Sequence, residues 1–139
     1  MTYVLDTHPV VWFLESSRRL SARAGTVLRD PHHTFILPTI VLVEITYLYT
    51  KGRIDVDIAL VQQRLVAASN CVLYPLDEQV AMRIPTGLNI HDAIIVATAL
   101  VYRDILHESI AGSCTSILRV IPSPANQVKY PHFTTCVRC

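Results

Sequence analysis

Three short β-prone runs, Tyr3-Val4-Leu5, Thr34 to Leu37 and Cys71 to Tyr74, are each followed by helical periodicity, and this alternation constrains the chain more than any other feature. Strands separated by helices pair in parallel, because a parallel crossover is long enough to hold a helix. Pro9 sits where a first helical turn accepts a proline, so a helix is expected directly behind the first strand. The turn-like Asp30-Pro31-His32-His33 precedes the second strand, and Pro38-Thr39 lead into a helix over Ile40 to Lys51 closed by Gly52. Helical spacing returns over Asp55 to Ala68, begins again over Asp77 to Arg83, and is most strongly apolar over Asn89 to Tyr102. The order β-α-β-α-α-β-α-α predicts an α/β domain with a mainly parallel sheet, completed by one or two strands behind the last helix.

At 139 residues the chain fits one domain able to bury its own core. With 51% apolar and 17% charged residues, part of its surface is expected to meet a partner. The longest apolar stretch, Ala93 to Tyr102, is about half of the roughly 20 residues a membrane helix needs. The N-terminus has no basic n-region and meets Asp6 early, so a cytoplasmic protein without a membrane span is expected. Four scattered cysteines do not make a secreted disulfide framework, and the single Cys136-x-x-Cys139 lacks the second ligand pair of a zinc site. A net charge of +1 is neutral on nucleic-acid binding, but all 11 acids lie at or before Glu108.

Those acids include three placed for chemistry. Asp6 follows the first strand, and ligands of a parallel sheet bind beyond the carboxyl ends of strands; equally, Asp6 or Thr7 is placed to cap the next helix. Glu44 has Ile40, Val41, Tyr47 and Leu48 at helical spacing around it, so a metal, a basic partner or a position at the core's rim must account for its carboxylate. Asp92 lies three residues after Asn89, the spacing of a reciprocal cap as well as of a ligand opening a helix; His91 beside it reads as a surface or capping residue. Together the three are hard oxygen donors, suited to Mg²⁺ or Mn²⁺ rather than zinc, and such sites perform phosphoryl chemistry.

The opening Tyr3-Val4-Leu5-Asp6-Thr7-His8, with Val10 to Leu14 behind it, resembles the start of a PIN domain of the toxin (VapC-like) kind. Pro38 to Ile45, containing Glu44, is similar to that family's second block, and Asn89 to Ala99, containing Asp92, is similar to its third. The match covers about residues 1–111 of a single PIN-like domain spanning 1–139, with 112–139 divergent. The resemblance implies a three-layer α/β/α fold, Mg²⁺- or Mn²⁺-dependent endonucleolytic cleavage of RNA, homodimerisation and neutralisation by a cognate antitoxin. It makes Asp6, Glu44 and Asp92 the metal ligands and Thr7 a supporting hydroxyl. A haloacid dehalogenase motif is excluded, because His8 stands where that motif needs a second aspartate, and the four glycines form no phosphate-cradling loop.

The chain departs from the family after its last strong helix. A short strand ending in Thr-x-Asp is expected, whereas reading on puts Ser116 or Ile117 at the acid's place. Asp104 and Glu108 would lie about 18 and 24 Å along a continuing helix from Asp92, too far to substitute. The abrupt change after Ala111 suggests a reading-frame shift near codon 112, which the nucleotide sequence would test, with ordinary divergence of the segment as the alternative. Without the fourth acid, the competing function is a catalytically impaired PIN-like module that binds RNA or an antitoxin without cleaving.

Overall fold

The computed structural model describes residues 1–109 and 118–121, with side chains through Ile105. It is a three-layer α/β/α domain. In chain order the elements are β1 (Thr2–Leu5), α1 (Thr7–Leu14), α2 (Ala22–Arg29), β2 (Thr34–Pro38), α3 (Thr39–Thr50), α4 (Ile58–Ala67), β3 (Cys71–Tyr74), α5 (Glu78–Ala81), α6 (Ile90–Ser109) and β4 (Leu118–Ile121). Every strand pairing is parallel, in the order β3-β2-β1-β4. Thr2 pairs with Thr34, Ile36 with Val72, and Leu5 with Ile121.

Burial follows that order. The four residues of β1 and Phe35 to Pro38 of β2 are all buried, as central strands covered on both faces must be. At the sheet's edge, β3 leaves Val72 and Leu73 exposed. The core is built from Val4, Ile36 and Leu37 of the sheet, Val41 and Ile45 of α3, and Ile95 and Ala99 of α6. A second cluster, Ile94, Ala97 and Val101 with Val80, joins α6 to α5. The helix is strongly apolar because it packs in two directions at once. No helix among the described residues is long and apolar enough to cross a membrane.

Several boundaries differ from the sequence expectation for identifiable reasons. α1 starts at Thr7, so Pro9 stands third in the helix, where its missing N–H leaves no bond unmade. α4 begins after Asp57, whose side chain accepts from the Leu60 N–H at 2.8 Å, rather than at Asp55. α5 stops at Ala81, and α6 continues past Tyr102 to Ser109. One helix, α2, is absent from the expected order. Its interior Gly25 and its exposed Ala22, Arg23 and Thr26 weaken the pattern, although Ser21, which caps it through the Ala24 N–H at 3.2 Å, was a readable start signal. β4 is a strand expected behind α6, and it falls inside the otherwise divergent tail.

Candidate active site

Asp6 is the first residue beyond β1, and the two readings of it hold together. It caps α1 in an extended conformation (φ −94°, ψ 159°), its carboxylate accepting the Thr7 backbone N–H at 2.6 Å. It also stands at the carboxyl end of a central strand, only 5% exposed. Taking an ionised carboxylate this far out of water is costly, so its direction is set by groups that compensate it.

Thr7 connects that strand end to the second acid. Its side chain is fully buried, and its hydroxyl donates to Glu44 Oε2 at 2.6 Å across 37 positions of sequence. Glu44 is half-buried on α3, with Val41 and Ile45 of the same helix fully inside the core. The Thr7 hydrogen bond and the position at the core's rim both compensate the Glu44 carboxylate.

Asp92 occupies the first turn of α6 and is likewise half-buried. The Asn89 side-chain oxygen accepts the Asp92 N–H at 3.1 Å, and the Asn89 amide donates back to the Asp92 carboxylate. This is the reciprocal cap that the spacing suggested. Capping does not exhaust a carboxylate, which offers about four lone-pair sites. α6 packs against both β1 and α3, and its Ile95 shares a core cluster with Leu5 and Ile45.

The structure therefore joins Asp6 and Glu44 through Thr7 and sets Asp92 at the start of the helix packed against both elements. Among the described residues no group of three His, Cys, Asp or Glu side chains is arranged to hold a metal ion. The donors themselves, three carboxylates and a hydroxyl, fit a hard divalent cation and not a thiophilic one. His91 contributes nothing to this set beyond a half-buried position on α6.

Asp104 is committed elsewhere. Its carboxylate pairs with Arg83, just after α5, and with Arg103 at 3.1 Å. The hydrogen bond from Arg83 is the larger cause that holds the Asp104 carboxyl below its ordinary value. The helix does run on through both late acids, as their exclusion required. The expected place of the fourth acid, Ser116 or Ile117, lies outside the described residues. No acid follows in the sequence. The proposed frame-shift point at codon 112 lies outside the described residues.

A separate apolar cavity of about 460 Å³ lies between the sheet and α1, α2 and α4, lined by Leu5, Phe13, Leu37, Val61 and Leu65 among others. Cys71 stands in its wall, and burial pushes that thiol up to about 11. None of Asp6, Thr7, Glu44 or Asp92 lines it.

Comparison with curated proteins and with solved structures returns no match. The family comparison does: the model described as PIN domain matches residues 3–107, from the first strand through nearly all of α6, and the chain belongs to the PIN-domain family.

Proposed function

We propose that this protein is a metal-dependent endoribonuclease in which Asp6, Glu44 and Asp92 hold Mg²⁺ or Mn²⁺, acting as a VapC-like toxin that forms a homodimer and is neutralised by a cognate antitoxin. The family supports the coarser part of this reading, since PIN domains have a nuclease-type fold and generally use divalent ions. The observation that carries it is the Asp6–Thr7–Glu44 connection, which fixes two carboxylates from distant parts of the chain with neutral donors. A bound divalent ion supplies charge neutralisation at a phosphate and acidifies water.

The chain's own residues do the positioning. The Thr7 N–H orients the Asp6 carboxylate, the Thr7 hydroxyl holds one Glu44 oxygen, and Asn89 steadies Asp92 at the positive end of a helix dipole. Burial of Asp6 keeps water from screening its charge, while half-buried Glu44 leaves the site open to a substrate.

The test is RNA cleavage with and without Mg²⁺ or Mn²⁺, comparing the native chain with Asp6→Asn, Glu44→Gln and Asp92→Asn. Each substitution should lower cleavage by at least about 100-fold, as loss of a ligand to the ion that neutralises the reacting phosphate would. Activity indifferent to all three would refute the site. The absence of any acid beyond Glu108 favours a second reading, a PIN-like module that binds RNA or antitoxin without cutting. Binding by the native chain without metal-dependent cleavage would establish that alternative.

A further inference from the structure

The cavity of about 460 Å³ beside the sheet is not used by the candidate active site, and its lining has a chemistry of its own. Its volume falls within the roughly 300–1,000 Å³ of small-molecule clefts and far exceeds the voids that ordinary packing leaves. Leu5, Phe35 and Leu37 of the sheet are buried walls, whereas Arg29, Arg64 and Ala67 are exposed residues of the same lining and mark where it opens. Apolar walls offer water no partners, so the space suits an apolar guest. Among the described residues that line it, the charged ones are Arg29 and Arg64, with no Asp or Glu beside them. Neither arginine has an ion pair among the described residues. Arg29 lies over Phe13, another lining residue, its guanidinium carbon 5.5 Å from the ring centre. Gly25 leaves room for that pose, since a Cβ there would stand 2.9 Å from an Arg29 guanidinium nitrogen. Both arginines occupy the last turn of a helix, where a cation suits the dipole. The dipole explains each charge singly, not why two cations and no carboxylate share one apolar cavity.

We propose that this cavity binds a single-chain amphiphile with a carboxylate head, a medium-chain fatty acid in chemical class, its tail against Leu5, Phe35 and Leu37 and its head at Arg29 and Arg64. An apolar interior with cations at its opening is complementary to such a molecule at both ends. A guanidinium presents a planar fork that matches a carboxylate, so the two arginines favour an acid over an alcohol of the same length. None of Asp6, Thr7, Glu44 or Asp92 lines the cavity, so this site stands whether or not the protein cleaves RNA. It borders the same elements all the same: Leu5 and Val10 of its lining flank Asp6 and Thr7 in the sequence.

Calorimetry of the full protein with octanoate, decanoate and dodecanoate, each below its micelle concentration, tests this. Binding should be one to one and tighten about fourfold per added methylene, as moving a CH₂ from water to an apolar wall does. Arg29→Gln and Arg64→Gln should each weaken decanoate binding about three- to tenfold, the effect of one charged contact at an exposed position. Decanol should bind more weakly than decanoate and ignore both substitutions. Ala67→Trp, at an exposed position of the lining, should block the opening and abolish binding while the thermal melt stays unchanged. No saturable binding of decanoate or dodecanoate overturns the proposal. So does decanol binding as tightly as decanoate, or decanoate binding that is untouched by all three substitutions. Binding of an acidic amphipathic peptide that the fatty acids fail to displace, in a protein that does not take up the fatty acids alone, would give the cavity to a protein partner and overturn the proposal as well.

Discussion

Thr7→Val isolates the hydrogen bond on which the candidate site turns. Valine replaces the hydroxyl by a methyl of similar size, so the fully buried position stays filled while Glu44 loses a donor held at 2.6 Å. A hydrogen bond to a charged group contributes about 1.5 to 3 kcal/mol net. Half-buried Glu44 recovers part of that from water, which places the expected loss near the lower end, about 1.5 kcal/mol. With an unfolding entropy of about 2.1 cal/mol/K per residue over 139 residues, the melting temperature should fall by about 5 °C. Thermal unfolding in metal-free buffer, followed by circular dichroism, gives the number. The decisive comparison is the same substitution in a Glu44→Ala background. There the Thr7 hydroxyl is already without its acceptor, and replacing a buried unsatisfied hydroxyl should cost nothing or stabilise. An equal loss of stability in both backgrounds would show that Thr7 acts through packing alone and would refute the argument that it holds Glu44.

Asn89→Ala removes a cap that both accepts from and donates to Asp92, and should cost about 1 kcal/mol by thermal melting. It should also weaken Mg²⁺ binding measured by calorimetry, whereas a purely structural cap would leave metal affinity untouched. The Asp104 carboxyl is held below its ordinary 3.8 by Arg83 and then Arg103, so the stability from that pairing is present above 3.8 and is lost as pH falls through the lower folded value. Melting curves between about pH 5 and pH 3 should therefore fall more steeply for the native chain than for Asp104→Asn, and the difference should shrink in high salt because the pair is partly exposed.

How far the sequence disclosed this structure depends on where burial writes a pattern. β1 and β2 are covered on both faces, so Tyr3 to Leu5 and Phe35 to Leu37 read as short apolar runs, and both were legible to within one residue. α6 was legible for the same reason in helical form, since its two buried directions make it apolar nearly all round. α2 was not, because it is only about two turns long, buries only Gly25 fully and carries that glycine in its interior, where it argues against a helix. Glu44 stood out by contrast with its apolar neighbours, and the Asn89–Asp92 cap by its spacing. The Thr7–Glu44 bond could not be read from spacing, because it spans 37 positions and depends on how α1 and α3 pack. Tyr47 was legible only as one of the apolar neighbours of Glu44; its exposure appears once α3 is docked.

If the site holds an ion as proposed, its donors also decide how folding and metal binding are related. Like charges brought together without a cation repel, and a structural metal centre solves this by folding only around its ion. Here the compensation comes from neutral groups of the chain: the Thr7 N–H on Asp6, the Thr7 hydroxyl on Glu44, and the Asn89 amide on Asp92. Each is fixed by an element that packs for its own reasons, α1 against α3, and α6 against β1 and α3. The carboxylates are thereby oriented by the chain itself, and under the proposed reading a bound ion would add stability only in proportion to its affinity for the folded chain. That affinity depends on the number of charged ligands, so a cluster of three carboxylates binds a divalent ion less tightly than one of four. Under the proposed ribonuclease reading, the missing fourth acid would lower metal occupancy and the rate that depends on it, while the cap of α6 and the Thr7 connection are formed without it.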